Sequence, residues 1–211
     1  VAWQYKWVAG PVCLLITLAL YLASNHFQVF RPRELYFSPL DRAIPFIPIS
    51  FWLYASGLLF FPTVYFLNRC TVSLNKHLYS FLALILVSVL VFQLLPTTYP
   101  RGLYPLPMDT DPATRFLIHW FWEVDRPTNC APSLHVSISF LIAFGFIDDQ
   151  KPYFPWILAW AILLSISTLT TKQHYVVDVL SGFALAVFLF WFFHRHLTYR
   201  FPRKLRRGAR R

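Results

Sequence analysis

Long apolar runs separated by shorter polar stretches dominate this chain. They fall near residues 7–24, 47–67, 78–95, 133–148, 154–171 and 178–194. A helix needs about 20 mostly apolar residues to cross about 30 Å of hydrocarbon. The fourth run is short and Asp148-Asp149 closes it, yet the spacing predicts six helices. The expected architecture is an all-α membrane protein, a single six-transmembrane-helix bundle over residues 1–194. An even number of spans puts both termini on one side.

Two of the polar stretches are too long to be plain turns. Residues 26–46 carry Pro32, Pro39 and Pro45, which forbid a continuous helix. Residues 96–131 begin at Pro96 and reach Asp111-Pro112, a helix start with a capping carboxylate and a proline in the first turn. Beyond it Phe116, Leu117, Trp120, Phe121 and Val124 form one face, while Arg115, His119 and Glu123 recur on the other. This pattern predicts an interfacial amphipathic helix in the outer loop between spans 3 and 4.

Composition fits that picture. Of 211 residues 57% are hydrophobic and 13% charged, against about a quarter charged in soluble domains. Eight Trp and eleven Tyr suit interfacial anchoring. The net charge of +10 suggests nucleic acid only until its placement is considered. Arg195, Arg200, Arg203, Lys204, Arg206, Arg207, Arg210 and Arg211 supply eight of nineteen basic residues, all within a tail over 195–211. A basic tail beside an apolar run predicts a topology anchor on anionic inner-leaflet lipids. No nucleic-acid partner is expected. With the termini inside, the cytoplasmic side collects twelve basic residues and the outer side seven, together with seven of the nine acidic residues.

Candidate chemistry lies in two clusters. Asn129-Cys130-Ala131-Pro132-Ser133-Leu134-His135 opens the fourth run, and His174-Tyr175-Val176-Val177-Asp178 opens the sixth. The predicted topology puts both on the outer face. His174 and Asp178 are four apart and share a helix face. The carboxylate can fix the imidazole tautomer and leave the other nitrogen free to attack. His135, on a different helix, can lie opposite and protonate a departing alkoxide. Ser133 and the free N–H groups of the helix start offer an anion site. Singly, an interfacial histidine is ordinarily a hydrogen-bonded polar residue, and Asp178 could simply cap its helix. Together the groups compose phosphoryl transfer through a phosphohistidine.

Pro132-Ser133-Leu134-His135 followed by His174-x-x-x-Asp178 resembles the second and third motifs of the type 2 phosphatidic acid phosphatase superfamily. The resemblance covers roughly residues 90–194. It implies a six-helix membrane fold with its active site at the outer face and no metal requirement. It also implies His174 as nucleophile, Asp178 as its orienter, His135 as acid and Ser133 as a phosphate ligand. Leu134 stands where the family pattern has Gly, and Thr168 where it has Arg. The first family motif has no full match, and the overall pattern is closest to the branch resembling inositol phosphorylceramide and sphingomyelin synthases. Phosphate charge must still be met by cations. Lys172 is the first candidate, Arg101 the second and Arg126 the third.

Asp109-x-Asp111 is explained by the capping role of Asp111. Cys13, Cys70 and Cys130 show no metal-type spacing, so no metal, disulfide framework or cofactor is expected. Cys130 reads as a small residue packed under a loop. The leading expectation is an integral-membrane lipid phosphatase acting on a phospholipid, polyprenyl or lipid A type phosphate. The expected location is a bacterial cytoplasmic membrane, with cytoplasmic termini and a periplasmic active site. A lipid head-group phosphotransferase using the same histidines is the alternative, and a non-enzymatic phospholipid binder the second. A transporter is disfavoured, because no charge lies mid-span.

Overall fold

A computed structural model describes residues 3–68, 70–149 and 151–197. Arg69 and the tail from Arg200 to Arg211 lie outside the described residues, and with them most of the predicted lipid anchor.

The chain is mostly helical. In order it forms α1 (Lys6–His26), β1 (Arg33–Glu34), α2 (Pro39–Ala43), α3 (Phe51–Ala55), α4 (Phe60–Leu67), α5 (Thr71–Leu94), β2 (Thr97–Thr98), α6 (Pro112–Val124), α7 (Leu134–Asp149), α8 (Phe154–Thr170) and α9 (Val176–Phe190). A π-helical turn, Trp191–His196, extends α9. Three helices are long and apolar enough to cross a membrane: α1, α5, and α9 with its extension. Leu134–Ile147 of α7 and the whole of α8 are apolar but shorter.

The second predicted span is not one helix. It divides into α3, a 3-10 stretch at Ser56–Leu59, and α4. Pro62 supplies the physical reason. It has no N–H to offer Leu58, and its ring crowds the carbonyl four residues back. The loosened backbone tightens into 3-10 geometry one turn earlier.

α7 forms the centre of the bundle, packed on α8, α9, α5 and α4. Val136, Ala143 and Phe146 are fully buried there. Some hydroxyl residues inside the bundle bond along their own helices: Ser137 donates to the Ser133 carbonyl at 2.7 Å, and Thr168 to the Ser165 carbonyl at 2.7 Å. Such back-bonding lets small hydroxyl residues pack helices closely without leaving a donor unpaired.

One end of the bundle carries a cap made from three loops. β1 pairs in parallel with β2, and Thr98 bridges Thr128, which joins the two long polar stretches. Asn25 at the end of α1 donates to the Arg126 carbonyl and to Thr128, and accepts from the Arg126 N–H. Ile47 N–H reaches the Thr170 carbonyl at 2.8 Å. These bonds tie the end of α1 to the segment that leads into α7, and the segment before α3 to the end of α8.

α6 begins at the expected place, with the Asp111 side chain accepting from Thr114 N–H at 2.9 Å and Pro112 in its first turn. Its apolar face is divided between the protein and its surface, with Leu117 and Phe121 packed inward. Thr114 and Ile118 are buried, with Ile118 against Phe51 and Tyr54, whereas Phe116 and Trp120 are exposed. Contact with α3 covers the inward stripe.

Candidate active site

The turn between α8 and α9 is built to present His174. Lys172 adopts a positive φ of 55°. Lys172 N–H bonds to the Leu169 carbonyl, and the N–H groups of Gln173 and His174 both bond to the Thr168 carbonyl at 3.1 Å. That is a helix-ending Schellman arrangement, with lysine at the left-handed position where glycine is usual. Thr168, at the position where a family arginine was expected, thus anchors the turn through its backbone. The Lys172 ammonium donates to the carbonyls of Asp41 and Ile44, and Asp41 accepts from Val176 N–H. Burial lowers the pKa of Lys172. These bonds strap α2 and its C-cap across the start of α9.

His174 Nδ1 lies 2.8 Å from Asp178 Oδ2, one turn along α9. Asp178 is fully buried, and its Oδ1 has no hydrogen-bond partner. The bond to Nδ1 leaves Nε2 as the free edge of the ring. His135, in the first turn of α7, faces it with ring centroids 6.1 Å apart. The two helix starts are held together by Ser133 N–H, which donates to the Asp178 carbonyl at 3.1 Å. Gly182 makes this contact possible. A Cβ there would sit 2.6 Å from the Ser133 oxygen and 3.2 Å from its nitrogen.

Gly182→Ala is therefore expected to push the start of α7 off α9. Overpacking of this kind costs about 1–3 kcal/mol. Turnover should fall about tenfold or more, since a 1 Å misplacement of reacting groups can cost about a hundredfold. Gly102→Ala, where an added methyl meets nothing within 4 Å, should match the parent in melting temperature and in rate.

Both histidines line a cavity of about 170 Å³. Its polar end includes Tyr21, Tyr99, Asp125, Arg126, Asn129 and Gln173. Its other end is apolar, bounded by Leu14, Leu18, Leu58, Phe61, Phe81 and Ile85. Leu14, Leu18 and Leu58 are also exposed on the outer surface of the bundle. The apolar end thus reaches the flank between α1 and the 3-10 stretch.

The predicted phosphate ligands are placed differently from one another. Of the three candidate cations, Arg126 lines the cavity, with a long bond of 3.4 Å from its guanidinium to the His26 carbonyl. Lys172 is occupied as described. Arg101 donates to the carbonyls of Trp122 and Asp125, to Tyr99 and to Gln173 Oε1. It therefore stands behind the Tyr99 and Gln173 wall. Ser133 is fully buried, and the cavity lining takes Leu134 and His135 from that turn instead.

Several cavity residues were not foreseen from sequence. Tyr21 donates to Asp125 Oδ1 at 2.6 Å, while burial raises the Asp125 pKa against the opposing effect of that bond. Tyr54 stacks on His135 with centroids 4.1 Å apart. The sequence held one hint for Tyr54, a polar-tipped aromatic just ahead of Gly57 in a run broken by Pro62. Cys130 is buried, and burial raises its thiol pKa well above the ordinary range, so it packs as a small residue and is not a ready nucleophile. Among the described residues no three His, Cys, Asp or Glu side chains converge as a metal site.

A family model for the PAP2 superfamily matches residues 41–192. The chain belongs to the PAP2 superfamily. The matched stretch contains both histidine clusters, Asp178 and all of α3 to α9. PAP2 members are generally phosphatases or phosphotransferases, and membership suggests phosphatase-type activity on lipid-like phosphates. Membership, with the several apolar helices, makes this PAP2 chain a membrane protein. The chain is also similar to an uncharacterized protein of Methanocaldococcus jannaschii, 38% identical over 88 residues. That match covers 42% of this chain and 33% of the relative, so the chain spans about a third of the curated relative it matches.

Proposed function

We propose that this protein is an integral-membrane lipid phosphatase that works through a phosphohistidine on His174. The observation that carries the reading is one cavity with two histidines at its polar end and an apolar slot at the other. A phosphate group at the histidines and a hydrocarbon chain in the slot would fill both ends together. Six crossings, counting α3 and α4 as one interrupted span, would place this end of the bundle at the outer face of the membrane.

In this mechanism Asp178 holds the proton of His174 on Nδ1, and the Nε2 lone pair attacks phosphorus. The bond from phosphorus to the lipid oxygen breaks, its electron pair leaves with that oxygen, and His135 supplies the proton. His135, now neutral, takes a proton from water as the water oxygen attacks phosphorus. The P–N bond then breaks and returns its electrons to His174. Arg126 offsets phosphate charge at the rim. Lys172 and Arg101 hold the turn and the wall that frame the site, and Ser133 sets the spacing of α7 and α9.

Purified full-length protein should release inorganic phosphate from a panel of membrane lipid monophosphates and diphosphates in the presence of EDTA. Transfer of phosphate to a lipid alcohol without release of free phosphate would replace the phosphatase reading by a transferase. A strict requirement for divalent metal would overturn the mechanism.

A further inference from the structure

His135 is confined from two sides by the interrupted second apolar segment. The Tyr54 ring lies against its imidazole, with centroids 4.1 Å apart and planes within 28°. Gly57, in the 3-10 stretch, brings backbone so close that an added Cβ would sit 3.1 Å from His135 Cδ2. Tyr54 is itself fixed. It is 2% exposed and meets Phe51 and Phe121 edge-on at 5.4 and 5.6 Å. Phe121 belongs to α6, so a continuous aromatic contact runs from that helix to the imidazole.

A histidine side chain has two soft torsions, and its ring plane decides where its nitrogens point. Proton delivery needs that direction fixed by packing around the ring. We propose that Tyr54 is the positioning residue for His135, acting through the face of its ring. The interruption of the second apolar run then has a purpose. It sets Gly57 and Tyr54 together against His135 of α7. The phenol hydroxyl plays no part in this role. This inference rests on the proposed phosphohistidine mechanism, in which His135 supplies a proton to the departing oxygen.

The test compares Tyr54→Phe, Tyr54→Leu and the parent in the full-length protein, with a lipid monophosphate and with p-nitrophenyl phosphate. A lipid alkoxide needs a proton to leave, whereas p-nitrophenolate leaves without one. Tyr54→Phe should keep the lipid kcat within about threefold. Tyr54→Leu, which fills similar space without a ring face, should lower it about a hundredfold with KM little changed, the size expected when general acid catalysis is lost. The aryl ester should lose less than about fivefold.

Three results would overturn the inference: Tyr54→Leu as active as the parent on lipid, equal losses on both substrates, or Tyr54→Phe as impaired as Tyr54→Leu. The comparison of Phe with Leu on the lipid decides by itself if the aryl ester turns over too slowly to measure. Failure of the underlying mechanism is separately visible, because His174→Asn would then remain active whatever the Tyr54 variants do.

Discussion

His174→Asn is expected to abolish phosphate release, with a loss of about ten-thousand-fold or more, the range seen when a covalent nucleophile is removed. Asparagine is the informative replacement. Its amide nitrogen falls close to the place of Nδ1 and can still donate to Asp178 Oδ2, which His174 now approaches at 2.8 Å. Alanine would instead leave a fully buried carboxylate with neither oxygen paired, since Oδ1 already has no partner. Leaving such a charged acceptor unmet costs about 3 kcal/mol, and the lost activity could then be blamed on unfolding. With asparagine the melting temperature should stay near that of the parent. A base quench during turnover of labelled substrate should trap acid-labile label on the parent and none on the variant. Turnover within tenfold of the parent, or label retained by the variant, would sink the nucleophile assignment.

The candidate site was legible in sequence to the extent that its parts are local. The spacing of His174 and Asp178 is a property of one helical turn, and the bond between them follows from it. The start of α6 was equally local, because Asp111 and Pro112 act on their own neighbours. The pairing of His135 with His174 needed only the alternation of spans. What was hidden depends on which elements touch. Tyr54 lies 81 residues before His135 in the sequence, and nothing in the apolar pattern says that its face meets that imidazole. The choice among Lys172, Arg101 and Arg126 had the same character. Each is a cation near a motif, and only packing decides which one meets carbonyls and which the cavity. Lys172 lies two residues from His174 in the sequence, and its ammonium meets the carbonyls of Asp41 and Ile44. The break in the second span was signalled by Pro62, but an unbroken run of apolar residues outweighed it.

Asp178→Asn should separate catalysis from stability. The variant keeps the shape of the side chain and removes its charge. In the parent, a carboxylate can only accept, so it holds the proton of His174 on Nδ1 and leaves Nε2 with a lone pair. An amide can present its N–H to Nδ1 instead. The ring then carries its proton on Nε2 and has no electron pair to attack with. In the other orientation the tautomer survives, but no negative charge offsets the imidazolium formed as the P–N bond is made. Either way kcat should fall about a thousand- to ten-thousand-fold, the size of loss expected when a buried aspartate behind a catalytic histidine is neutralised. KM should change little, because Asp178 does not line the cavity. Stability should move the other way or not at all. The parent keeps a charged group in a fully buried place with one oxygen unpaired, and removing that charge relieves a desolvation cost. The decisive pair of measurements is kcat and melting temperature on the same preparation. A large drop in kcat with an unchanged or raised melting temperature supports Asp178 as the orienter of His174. A falling melting temperature with kcat retained in the folded fraction would make it a structural cap for the start of α9.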